Sequence, residues 1–96
     1  MLFMSHYVTH ADYRHSNLLA FAKMPAGDEA GDGGDQLNLI GRWHGLDGRT
    51  GVAIFECDDP ATVARWAMAW ATTMDITLTP VVGDSEIKAI GATLQS

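Results

Sequence analysis

Residues 39–57, LIGRWHGLDGRTGVAIFEC, constrain the fold more than any other stretch. Two β-prone runs flank Asp47-Gly48, and glycine enters the left-handed conformation of a tight turn without steric penalty. The middle of the chain therefore reads as an antiparallel hairpin. Residues 2–9, LFMSHYVT, hold many β-formers and neither Gly nor Pro, which predicts a strand. Over 11–24 the period changes. Ala11, His15, Leu18 and Ala22 recur at helical spacing, with Leu19 and Phe21 beside them and Pro25 as a stop. After the hairpin, Asp59 is set to cap a helix that begins at Pro60, and Val63, Trp66, Ala67, Trp70 and Met74 share one helical face. Residues 76–82, ITLTPVV, alternate like a strand, and Pro80 marks it as an edge. A short capped helix over DSEIKAIGATL closes the chain, with Ile87, Ile90 and Leu94 on one side.

The order is β-α-β-β-α-β plus a C-terminal helix, the ferredoxin-like pattern of an α+β fold with two helices on one face of an antiparallel sheet. At 96 residues the chain is a single domain, 1–96. Between the first helix and the hairpin lies PAGDEAGDGGDQ, residues 25–36, with four glycines, four acidic residues and no large apolar side chain. Such a stretch buries too little to offset its ordering entropy, so a mobile surface loop is expected. It lacks the GxxxxGK pattern of a phosphate cradle, and its charge is negative.

Two helices cover only one face of a four-stranded sheet, so the other face should read polar. It does not. Strand one has Phe3 and Tyr7 on one parity and Leu2, Met4 and Val8 on the other, while the hairpin carries Leu39, Trp43, Ala53 and Phe55 as well as Ile40, Val52 and Ile54. An apolar patch of that kind marks an interface. The expectation is a homodimer joined through the sheet face, a dimeric α/β barrel whose lumen would be the place for a ligand.

The segments MLFM, LIGRWHG, FECDDPATVARWAMAW and ITLTPVVGDSE resemble a family of small bacterial proteins of unassigned function. Its members show GRWH, an acidic residue ending the third strand, a D-D-helix with two tryptophans and a closing P-V. The resemblance spans nearly the whole chain and implies the fold of the dimeric α/β barrels. Two departures stand out: the longer acidic Gly-rich loop, and His6, where a smaller residue is common.

The polar residues of the hairpin raise the question of a site. Strand parity groups Asn38, Ile40, Arg42 and His44 on one face. A two-residue turn at Asp47-Gly48 pairs Gly41 with Ile54 and sends Glu56 to the face opposite Arg42. A three-residue loop ending in a left-handed Gly48 pairs Arg42 with Val52 and Asn38 with Glu56. The second register sorts polar from apolar more cleanly and is the one expected. The candidate pocket is then His6, Asn38, Arg42, His44, Glu56, Thr77 and Thr79, facing the lumen, with Trp43, Ala53, Phe55 and Cys57 toward the helices. There Arg42 would orient an anionic or carbonyl group and His44 would carry protons near neutral pH. The plainer reading is that Arg42 and Glu56 pair across the dimer seam while His44 bonds a turn carbonyl. Trp43, Trp66 and Trp70 read as core, and Cys57 as a small buried hydrophobe.

A metal is not expected. His6 and His10 lie ~13 Å apart along a strand at ~3.3 Å per residue, and no spacing matches a zinc or iron site. No organic cofactor is expected either. The net charge is −6 with only six Lys and Arg, scattered along the chain, so neither nucleic acid nor an anionic membrane is an expected partner. A lone cysteine, no signal-peptide pattern and no apolar run of ~20 residues predict a cytoplasmic protein. Two functions stand side by side: a small-molecule-binding barrel, and a non-enzymatic assembly or partner-binding protein with a filled lumen. By analogy of fold alone the first extends to cofactor-free oxygenases and isomerases. Whether the chain is an enzyme, and on what substrate, is left open.

Overall fold

The computed structural model describes residues 1–24 and 37–94. Strands β1 (Leu2–Thr9), β2 (Asn38–His44), β3 (Thr50–Glu56) and β4 (Met74–Val81) form one antiparallel sheet in the order β2-β3-β1-β4. Helices α1 (Arg14–Lys23), α2 (Pro60–Trp70) and α3 (Asp84–Ala92) complete the fold, and a 3-10 turn at Ala11–Tyr13 leads into α1. The chain is thus α+β and consistent with the ferredoxin-like pattern. The loop expected at 25–36 lies outside the described residues.

Period-2 alternation sorts the sheet. Phe3, Ser5, Tyr7 and Thr9 of β1 are buried, and so are Gly51, Ala53 and Phe55 of β3. These residues face the helices. The core joins Phe3, Leu37, Ala53, Phe55, Val63 and Trp66, with Ile76 and Leu78 of β4 packed against it. The Phe55 and Trp66 rings meet at 4.6 Å between centroids. Burying a side chain like Phe55 contributes about 1.5–3 kcal/mol. Cys57 belongs to this core, as its apolar neighbours suggest.

α2 forms where its signals place it. Asp59 Oδ1 accepts the Ala61 amide at 3.0 Å, and Pro60 occupies the first turn. α1 is different: it has no side-chain cap and buries no residue. β4 begins at Met74, two residues before the alternation of 76–82 suggests, and it is an edge strand, which accommodates Pro80. Val82 lies beyond the strand and is 55% exposed.

Two expectations about the hairpin need correction. The favoured register paired Arg42 with Val52, but Arg42 pairs with Ala53 and Trp43 with Val52. Asn38 does pair with Glu56, as that same register requires. Both registers therefore occur in one hairpin, joined by a β-bulge between Leu39 and Gly41, where Ile40 is the extra residue opposite Ile54. The turn half follows the two-residue register, with Gly48 left-handed at φ 70°. Asp47 Oδ1 clamps that turn by accepting the Arg49 amide at 2.9 Å and the Thr50 amide at 3.2 Å, and these bonds hold its carboxyl below the usual range. Downstream of the bulge every side chain changes face. Trp43, expected in the core, lies outside and is 63% exposed, its ring folded back over Gly41.

Candidate functional site

The bulge divides the seven candidate residues. Alternation keeps His6, Asn38, Glu56, Thr77 and Thr79 on the open face of the sheet, where His6 stands between Val52 and Thr77. Arg42 and His44 share the opposite face with Ala53 and Gly51. They therefore cannot join Glu56 within the chain. Nor can Arg42 reach Glu56 across a seam made by the open face, which removes the ion-pair reading.

Arg42 and His44 instead face α1. The Phe21 ring lies 4.9 Å from the His44 ring and 5.3 Å from the Arg42 guanidinium carbon. A cation over an aromatic face is an attractive arrangement. On the other side, Tyr7 Oη approaches His44 Nδ1 at 3.5 Å. Tyr7 reaches it because Gly51 sits directly opposite on β3. A Cβ at position 51 would collide with the Tyr7 ring, so glycine lets the phenol lie flat across the strand.

These side chains border a cavity of about 80 Å³ between the sheet, α1 and α2. Leu18, Phe21 and Met24 form its α1 side, and Trp66, Trp70 and Met74 its α2 side. Arg49 closes the end near the hairpin turn, donating from Nε to the Thr9 carbonyl at 2.8 Å. His44 stands at the mouth. Partial burial lowers its pKa below 6.5, and the neighbouring Arg42 charge lowers it further. At pH 7 the imidazole is therefore neutral, able to donate one hydrogen bond and accept another. α1 is tethered over the cavity by Asn17, whose Nδ2 donates to Thr73 Oγ1 at 2.9 Å.

Tyr7, Phe21 and Arg49 were not among the expected site residues. Sequence signals exist for Tyr7 and Phe21 but not for Arg49. Tyr7 shares its parity with Phe3 and so faces the helices, and glycine at 51 leaves room for a large ring opposite. Phe21 lies one helical turn from Leu18 on α1. Gly41, a glycine inside a strand, is the local signal of the bulge. Among the described residues no group of three or more His, Cys, Asp or Glu is placed to hold a metal ion. No described helix is long and apolar enough to cross a membrane.

No curated protein matches the chain, and no solved structure does. A family model does match, over residues 1–95, and the chain belongs to that family, described as a domain of unknown function, DUF3303.

Proposed function

We propose that this domain binds a small molecule in the cavity under α1, with Arg42 and His44 as its polar wall. The bulge at Ile40-Gly41 is the observation that carries this reading. Without the extra residue, Arg42 and His44 would point to the open face and Trp43 would pack under the helices. The bulge reverses this, at the cost of an exposed tryptophan and a charged side chain beside Phe21. Core packing alone would favour the opposite choice, and bulges recur next to sites where they re-aim a side chain. The test is a small-molecule screen read by amide chemical shifts. Binding should perturb α1 and the His44 end of β2 together. Hits that perturb only the open face would move the site to the sheet surface.

A second copy of the chain is the proposed cover for that open face. Trp43 is 63% and Ile40 55% exposed there, among the half-buried Met4, Val52 and Ile54. An apolar patch of this kind favours association through the sheet. His6, Thr77 and Thr79 would then line the space between the two sheets, while the cavity under α1 stays within each subunit. Sedimentation at micromolar concentration should show a dimer, and Trp43→Glu should shift it to monomer. A stable wild-type monomer would refute the association and leave the cavity untouched.

A further inference from the structure

We infer that the cavity takes a neutral aromatic ring bearing one hydroxyl, a phenol in its simplest form, which stacks on Arg42 and bonds His44 where the Phe21 side chain now lies. This rests on the cavity reading above and specifies its ligand class.

A charged ligand fits the polar wall poorly. The rim near the hairpin turn carries both signs. Arg49 donates from Nε to the Thr9 carbonyl, while Asp47 accepts the Arg49 amide and feels the Arg14 charge. Arg42 holds its guanidinium carbon over the Phe21 ring, 5.3 Å from the centroid. A ligand ring in that position meets the guanidinium through its π-face, an attraction that needs no carboxylate. A carboxylate on the same ring would lie in the ring plane, away from the guanidinium above its face. It would also give up water against walls that include Met24, Trp66, Trp70 and Met74. An ammonium on the ring would be repelled by the Arg42 charge.

The hydroxyl follows from His44. Its Nδ1 faces Tyr7 Oη at 3.5 Å, and its Nε2 has no hydrogen-bond partner among the described residues. A neutral imidazole offers one donor and one acceptor, and a hydroxyl can serve either.

The place of the ring follows from Phe21. Its ring touches both Arg42 and His44, yet Phe21 is 39% exposed and belongs to a helix that buries no residue. Asn17 ties the first half of α1 to Thr73, and Phe21 lies one turn beyond that tether. The second half of the helix is therefore the part that can yield. The free volume of about 80 Å³ is well below the ~150 Å³ that accommodates benzene in an engineered apolar cavity. A ring cannot be enclosed beside Phe21, so it enters as Phe21 swings out.

The test uses the full chain as wild type, Phe21→Ala, and Phe21→Ala combined with Arg42→Met. If Phe21→Ala does not fold, Phe21→Val takes its place. Amide-resolved NMR at pH 7 follows titrations with phenol, toluene, cyclohexanol, benzoate and benzylamine, and the same spectra establish that each variant is folded. Phenol is expected to bind Phe21→Ala about tenfold more tightly than it binds wild type. In that variant it should also exceed benzoate and benzylamine by at least about tenfold. It should exceed toluene by about 2- to 10-fold, the weight of one hydrogen bond, and cyclohexanol by about 2- to 30-fold, the weight of a cation on a ring face. Adding Arg42→Met should erase the advantage over cyclohexanol and keep the advantage over toluene. The order of the five affinities in Phe21→Ala decides the class without that second substitution. Benzoate or benzylamine binding as tightly as phenol would overturn the neutral class while the cavity survives. Equal affinity for cyclohexanol would overturn the stack on Arg42, and equal affinity for toluene the bond to His44. Equal phenol affinity in wild type and Phe21→Ala would overturn the displacement. Failure of every compound to perturb α1 in the opened variant would overturn the inference and the cavity reading together.

Discussion

The two helices on the inner face of the sheet are held by different physics. α2 has a side-chain cap and a proline in its first turn, and it drives Val63 and Trp66 into the core against Phe55. α1 has neither cap nor buried residue, and Leu18, Leu19 and Phe21 are each 39–49% exposed. The cavity lies against α1. A small domain can keep one helix as scaffold and leave the other loosely seated over a site, because local opening costs least where buried apolar contact is sparse.

The largest expected effect is on the α2 side. Phe55→Ala should lose about 3–5 kcal/mol in denaturant unfolding, whereas Leu19→Ala on α1 should stay within about 0.5 kcal/mol. Similar losses from the two variants would break the contrast between the helices. Next comes Ser5. Its hydroxyl is fully buried beside Ala53 and Leu78 and has no hydrogen-bond partner among the described residues. Ser5→Ala removes an unsatisfied group and should stabilise by about 1–2 kcal/mol, and a loss instead would reveal a bound water or other partner. Asp59→Ala removes the α2 cap and should cost about 1 kcal/mol. Tyr13 precedes α1 without a capping bond, so Tyr13→Asp, which supplies a cap, should stabilise α1 by a few tenths of a kcal/mol up to about 1 kcal/mol.

The smallest effect concerns pH. The folded state holds His44 neutral more strongly than the unfolded chain does, because partial burial and then Arg42 lower its pKa. The unfolded state therefore binds the proton first. The stability that this contributes is present above pH 6.5 and is lost as pH falls from there through the lowered folded value. Unfolding of wild type and His44→Gln between pH 7.5 and pH 5 isolates that slope from His6, His10 and His15. Identical slopes in the two proteins would mean that His44 does not sense the cavity.

The elements were legible in the sequence because each had a local cause. Asp59-Pro60 announced α2, Asp47-Gly48 the hairpin turn, and Pro80 the edge strand. The pairing of Asn38 with Glu56 was also legible, and so was the outward face of His6, Thr77 and Thr79. What could not be read was the fate of Arg42, His44 and Trp43. Strand parity is a strict alternation only while pairing is regular, and one inserted residue inverts it for everything beyond. In LNLIGRWH only Gly41 points to a bulge, and a glycine inside a strand marks a bulge often but not always. Of the polar trio of the hairpin, Arg42 and His44 share the face of Ala53 and Gly51, and Glu56 stands on the other.

The bulge aims Arg42 and His44 under α1. Nuclear Overhauser contacts of the aromatic rings test it most directly. Cross-peaks are expected from the His44 ring to the Phe21 and Tyr7 rings, and from the Trp43 ring to the Gly41 α-protons. Cross-peaks from His44 to Val52 or His6, with Trp43 in contact with Phe55 or Trp66, would place the hairpin in one unbroken register and contradict it.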